Sequence, residues 1–204
     1  MPAIGITGGI STGKTSFVEC LRELAPGARF FDADAAAREL ADSDREVRGA
    51  IEKAFGAEVY SASGSLNREA VRAIVFADAE KKRALEQILH PRIRDQWSLE
   101  AERHRNSAEL FFADIPLLYE TGGETLCDRV VVVACSPRVQ LERLKRRMEL
   151  DEAEAQAMID AQMPLMEKIA RADHVVWNNG GREELKEQAR LLVNLWNGRK
   201  RDNT

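Results

Sequence analysis

The chain is poor in cysteine. Its 204 residues include three, Cys20, Cys127 and Cys135. No two of them form a CxxC pair, and an odd count does not suggest a disulfide framework. With no Cys/His cluster in the sequence, a structural zinc is not expected either. A basic excess is also missing: 30 Lys and Arg stand against 34 Asp and Glu, for a formal net charge of −4. That balance argues against a dedicated nucleic-acid binder. The most apolar run, "VVVVAC" (130–135), is far shorter than the roughly 20 residues that span a bilayer. The opening "MPAIGITGG" has neither the basic segment nor the apolar core of a signal peptide. A reducing cytoplasm is therefore the expected setting, with no membrane and no nucleic-acid partner, and oligomeric state is left open. The length suits one substantial domain with insertions or a small lid.

What is present begins at once. "AIGIT" (3–7) is a strand candidate that runs into glycines, and a helical pattern follows from Lys14 to Leu24. A second strand candidate, "ARFFDAD", follows the turn at Pro26 and Gly27. From Ala35 to about Asn106 the pattern is helical, interrupted by "EVYSASGSL". Strand-like runs return at "ELFFAD" (109–114), "DRVVVVACS" (128–136) and "DHVVWNN", with helices over 137–172 and at the C-terminus. Five short apolar strands separated by helices predict an α/β fold with a parallel sheet flanked by helices. The long helical stretch between the second and third strands reads as an inserted subdomain. The polar tail "NGRKRDNT" is expected to fray.

Gly8, Gly13, Lys14 and Thr15 match G-x-x-x-x-G-K-[ST] directly after a strand and before a helix, the context this motif requires. Glycines let backbone N–H groups turn toward phosphate oxygens, and the helix N-terminus adds partial positive charge. Gly8, Gly9, Ser11, Thr12, Gly13, Lys14, Thr15 and Ser16 are thus the expected nucleotide cradle. Lys14 reaches for the β- and γ-phosphates of ATP, and the Thr15 hydroxyl is the expected Mg²⁺ ligand. A guanine-reading N-K-x-D is missing; the last strand is followed by "WNNGG". The chain is also short for a motor, so a small-molecule kinase is favoured over a GTPase switch or an ATPase motor.

Ligands of open α/β sheets gather at the carboxyl ends of strands, where "FFDAD" puts Asp32 and Asp34. A carboxylate there can orient an attacking hydroxyl and take its proton, or can cap the next helix. Asp34 is the preferred base and Asp32 the preferred structural group.

Together, "GITGGISTGKTS", "FFDADAAAREL", "FGAEVYSASGSLNREAVRAIVF", "LHPRI", "IPLLYE", "SPRVQLERLKRR", "AQMP" and "RADHVVWNNG" resemble the dephospho-CoA kinase family, in order, from about residue 3 to about residue 181. The resemblance implies transfer of the ATP γ-phosphoryl group to the ribose 3′-hydroxyl of dephospho-CoA. It implies a P-loop core (1–34, 107–137 and 171–204), a helical acceptor region (35–106) and a helical lid (138–170). It also aligns Asp34 with the family's general base. The chief alternative is a P-loop kinase for another small hydroxyl acceptor; a nucleotide-binding regulator without transfer activity is the rival from another class.

Other positions carry two readings each. Leu141, Leu144 and Met148 are expected on one side of an amphipathic helix, with Arg143 and Arg147 opposite and Arg146 nearby. These arginines suit a closing lid that neutralises the transferring phosphoryl group, or a solvated basic face. His90 and Arg92 are candidates for acceptor contacts, with Arg94 behind them; a core histidine and exposed helix arginines are the plainer readings. Pro91 is expected to kink the helical pattern or start a new helix. Asp114 ends a strand and suits a water-mediated Mg²⁺ contact. Asn178, Asn179 and Gly180 fall where adenine is expected, though "NNG" is also ordinary turn chemistry. Ser63, Met148 and Met158 depart from the family pattern, where an acid, an acid or amide, and an arginine are usual. None of these departures removes a residue the transfer requires.

Overall fold

A computed structural model describes residues 3–61, 64–105, 107 and 109–198. The departure noted at Ser63, the expected boundary at Asn106 and the tail beyond Gly198 lie outside the described residues. Among these residues, no helix is long and apolar enough to cross a membrane.

Five strands form one parallel sheet: β1 (Ala3–Gly8), β2 (Arg29–Asp32), β3 (Phe111–Asp114), β4 (Arg129–Ala134) and β5 (His174–Trp177). Their order is β2-β3-β1-β4-β5. β1 is central, pairing in parallel with β3 (Ile6 beside Asp114) and with β4 (Gly8 beside Val133). Residues on both faces of β1 and β4 are buried, as a parallel sheet covered on both sides demands. That burial is why these strands read as continuous apolar runs rather than alternating ones. On one face Ile4, Ile6, Phe112, Val131, Val133 and Val176 meet α1 (Lys14–Leu24) through Phe17 and Leu21. The same core takes Leu185, Ala189, Val193 and Trp196 of α9 (Arg182–Gly198). Burying side chains of this size stabilises by about 1.5–3 kcal/mol each.

The chain divides into two compact units, 1–31 with 101–204, and 32–100. The second holds α2 (Ala33–Ser43), α3 (Arg45–Phe55), α4 (Arg68–Ala77) and most of α5 (Ala79–Arg105). Its core is Leu40, Val47, Ile51, Phe55, Val59, Leu66 and Val71. Asp44 ends α2 and starts α3, its carboxylate accepting from the N–H groups of Glu46 and Val47 at 2.9 Å. Asp42 accepts from the Leu66 N–H at 3.0 Å and pairs with Arg68. The Leu66 N–H first, and the guanidinium after it, hold this carboxyl below its ordinary range.

Expectations about the second strand, Pro91 and Met148 need correction. The second strand stops at Asp32 and α2 begins at Ala33, two residues before "AAAREL". Asp32 caps that helix by accepting from the Ala35 N–H at 2.9 Å, so Asp34 lies in the first helical turn rather than on the strand. Of the two outcomes expected at Pro91, a new helix does not start there: α5 runs through it. Leu85, Ile88 and Leu89 before it and Ile93 after it all pack on the same core, and that shared stripe outweighs the one backbone hydrogen bond proline removes. The 138–170 segment, the expected lid, is α6 (Pro137–Met148), α7 (Glu152–Asp160) and most of α8 (Leu165–Arg171), and it falls in the sheet's unit. Gln140, Leu144, Ala155 and Lys168 are buried there. Met148 is not on the buried side of α6; it is 40% exposed, and Gln140 takes the inner place beside Leu144.

Candidate active site

The loop between β1 and α1 closes on itself before anything else touches it. The Thr12 N–H and hydroxyl both donate to the Gly9 carbonyl, at 3.3 and 2.9 Å. Ser11 (φ 58°) and Gly13 (φ 92°) both take left-handed backbone, a conformation glycine adopts freely and serine does not. At Gly8 an added Cβ would meet the Val133 carbonyl at 2.5 Å, so the first glycine is required by the neighbouring strand. At Gly13 it would run into the Asn178 side chain.

Side chains then hold every second carbonyl of the loop. Lys168 Nζ donates to the Gly8 carbonyl at 3.3 Å, and Gln140 Nε2 to the Ile10 carbonyl at 2.9 Å. The Thr12 carbonyl accepts from Asn178 Nδ2 at 2.9 Å and from Arg143 at 3.5 Å. A trans peptide directs its N–H opposite to its C=O. Fixing the carbonyls of residues 8, 10 and 12 therefore turns the N–H groups of Gly9, Ser11 and Gly13 the other way. α1 starts beside them with no side chain capping its N-terminus and no acid in its first turn. A run of aligned amides ahead of an uncapped 11-residue helix is a binding place for phosphate oxygens. The buried Ser11 Oγ has no hydrogen-bond partner.

The charged groups of the site come from strand ends and helix starts. Lys14, at the first position of α1, pairs with Asp114 at the end of β3; both side chains are largely buried, at 16% and 13% exposure. Thr15 is exposed and Ser16 half-buried. Beside the loop lies a cleft of about 290 Å³ lined by Gly13, Ser16, Arg143, Asn178, Gly180 and Arg182, among others. Of the expected cradle, Gly13 and Ser16 line this cleft together with Asn178 and Gly180. Arg143 is half-buried and donates to the Asn178 carbonyl at 2.9 Å. Arg146 and Arg147 are exposed on the outer side of α6. Asn179 accepts from the Ser136 N–H at 2.7 Å, a turn contact.

In the 32–100 unit, Asp34 is exposed in the first turn of α2. His90 is half-buried on α5. Arg92 is engaged by Glu46 at 2.7 Å and Asp44 at 3.8 Å, an ion pair at the surface of its own unit. Arg94 is exposed.

Sequence reasoning missed Gln140, Gln162, Lys168 and Glu120, all of which serve the loop. Gln162 Oε1 accepts from the Ile10 N–H at 2.9 Å, so the two glutamines hold the Ile10 residue from both sides. A signal was available for Lys168: it shares a helical face with Leu165 and Ala172, which makes it a lysine within an apolar stripe.

Comparison with known proteins decides the family. A dephospho-CoA kinase family model matches residues 2–184. The chain belongs to the dephospho-CoA kinase family. A dephospho-CoA kinase of Anaeromyxobacter dehalogenans is 48% identical, covering 98% of this chain and 95% of its own length. One from Bacillus cereus is 40% identical, covering 95% of this chain and 96% of its own. The structure of the Campylobacter jejuni dephospho-CoA kinase superposes with a TM-score of 0.74 at 25% identity, covering 97% of this chain and 98% of that one.

Proposed function

We propose that this chain transfers the γ-phosphoryl group of ATP to the ribose 3′-hydroxyl of dephospho-CoA, the last step of coenzyme A synthesis. A cytoplasmic enzyme that takes two small-molecule substrates and no nucleic acid is part of this reading. The observation that carries it is the phosphate loop with its alternate carbonyls held, in a chain that belongs to this family.

The loop amides and the N-terminus of α1 bind the phosphates, and Lys14 exchanges Asp114 for the β- and γ-phosphate oxygens. The adenine occupies the cleft beside Asn178 and Gly180. Asp34 orients the ribose hydroxyl and accepts its proton as the O3′–P bond forms; the bond from phosphorus to the bridging oxygen breaks, and ADP leaves. His90 and Arg92 contribute to holding the acceptor, Arg92 after leaving Glu46. Arg143 and Arg147 supply positive charge as negative charge develops on the phosphoryl oxygens.

The donors at the loop also fit Mg²⁺. Among the described residues, no three or more His, Cys, Asp or Glu side chains are grouped so that they could hold a metal ion by themselves. Mg²⁺ does not need such a group, because it takes one or two protein oxygens and completes its shell with phosphates and water. The Thr15 hydroxyl and, through water, the Asp114 carboxylate are hard oxygen donors of that kind. Bound there, the ion would neutralise phosphate charge.

The test is ADP release measured with and without dephospho-CoA. ADP production strictly dependent on the acceptor is expected. Equal turnover on an unrelated sugar or nucleoside, or ADP release that ignores the acceptor, would overturn the assignment.

A further inference from the structure

Lys168 is a lysine with 0% exposure, and burying an ammonium is costly unless it is paired and hydrogen-bonded. Its three contacts are specific. It pairs with Glu120 Oε1 at 2.7 Å and donates to the carbonyls of Gly8 and Pro116, each at 3.3 Å. Pro116 also accepts from the Thr7 hydroxyl at 2.9 Å. One ammonium thus joins α8, the segment after β3 and the last carbonyl of β1.

Glu120 extends the connection. The oxygen that pairs with Lys168 also accepts from the Met163 N–H at 3.1 Å. Met163 follows Gln162, which holds the Ile10 N–H. The contacts close a ring: Gly8, Lys168, Glu120, Met163, Gln162 and Ile10. Gly8 is therefore tied to the turn between α7 and α8 through this ion pair, and Ile10 is tied to it directly through Gln162.

We propose that Lys168 and Glu120 are a positioning pair that sets the Gly8–Ile10 backbone for nucleotide phosphate, acting through hydrogen bonds to the loop rather than by contact with substrate. The ammonium pulls the Gly8 carbonyl to its side, which aims the Gly9 N–H away from it. Glu120 holds the ammonium in place through their ion pair. This rests on the reading that the loop holds the phosphates of ATP.

The test uses the full chain, Lys168→Met, Glu120→Gln and the double variant, with ATP affinity by titration calorimetry, KM values for both substrates and melting temperature. Each single variant is expected to weaken ATP binding about tenfold, as for other members of one bonded network. The KM for dephospho-CoA should change less than about twofold, within the additivity error expected of independent sites. Each single variant leaves a charge without its partner and melts lower. The double variant removes both charges and should regain melting temperature without regaining ATP affinity, because the Gly8 carbonyl still lacks its donor. Recovery of affinity together with stability would overturn the proposal, as would unchanged ATP affinity in folded single variants. Should Lys168→Met not fold, Glu120→Gln, at a side chain 21% exposed, carries the test alone. Wild-type protein that fails to bind ATP would instead overturn the reading of the loop, and this inference with it.

Discussion

Lys14 at the start of α1 is paired with Asp114 at the end of β3, so the cation proposed to meet phosphate is held in place by a carboxylate of the sheet. Ile6 of β1 and Asp114 stand side by side in the sheet, which fixes the acid within reach of the loop. In the proposed cycle ATP competes with that carboxylate for the ammonium. Lys14→Ala should therefore lose both ATP affinity and transfer, the latter by about 10²–10³-fold, the usual effect of removing one group that stabilises transition-state charge. Steady-state ADP release with an ATP binding titration checks both; a fully active variant would remove the cradle from the mechanism.

Asp34 is exposed in the first turn of α2 and caps nothing; Asp32 does the capping. That division leaves Asp34 available for chemistry. Asp34→Asn should lower kcat by about 10²–10⁴-fold, the range for losing a general base, while ATP affinity stays nearly unchanged. Turnover equal to wild type would refute the assignment.

Much of this was legible in the sequence, for identifiable reasons. The cradle motif is a local signal: strand, glycines and helix are contiguous, and nothing distant decides them. The five strands were legible because burial on both faces gives apolar runs. The start of α2 was not. "FFDAD" fits a strand until the Asp32 cap is seen, and a cap is a geometric fact that residue types only permit. Lys168, Glu120, Gln140 and Gln162 were illegible for another reason. They lie between 100 and 160 residues from the loop, and nothing local in the sequence marks them as its supports. That no new helix starts at Pro91 follows from the apolar stripe that continues on both sides of it.

Gly13 is the tightest point of the cradle, with a left-handed backbone and no room for a Cβ beside Asn178. Gly13→Ala should cost about 1–2 kcal/mol from backbone conformation alone, lowering the melting temperature by roughly 2–8 °C for a chain of this size. It should also push Asn178 off the Thr12 carbonyl and weaken ATP. Gly27→Ala is the control, since a Cβ there meets nothing within 4 Å; it should leave both quantities unchanged. Equal behaviour of the two variants in thermal melts and ATP titrations would contradict the packing described.

The three thiols should be inert in the folded enzyme. Burial is the first cause that raises each of Cys20, Cys127 and Cys135, and Cys127 is pushed up to about 12. At pH 8 little thiolate is present, and only thiolate reacts. A thiol-reactive dye should find no fast site until denaturant is added. The sign for stability follows: a raised folded value leaves stability intact below the ordinary thiol value near 9 and removes it as pH climbs from there toward 12. A rapidly labelled cysteine at pH 8 in native protein would contradict this.

Asp114 has two tasks in the proposed cycle, holding Lys14 before ATP arrives and ordering water on Mg²⁺ afterwards. The two make different demands. Holding Lys14 needs a negative charge, which competes with phosphate; ordering the metal's water needs an acceptor oxygen aimed at the bound ion. Asp114→Asn keeps an oxygen but loses the charge. Metal-free ATP should then bind at least as well as in wild type, because its competitor for Lys14 is weaker. The Mg²⁺ concentration giving half-maximal rate should rise, with activity lost by about 10–100-fold, as when outer partners of a metal are changed. Titrating Mg²⁺ at saturating ATP and dephospho-CoA separates the two effects. A metal dependence identical to wild type would leave Asp114 only its first task, and the Thr15 hydroxyl as the sole side-chain oxygen assigned to the ion.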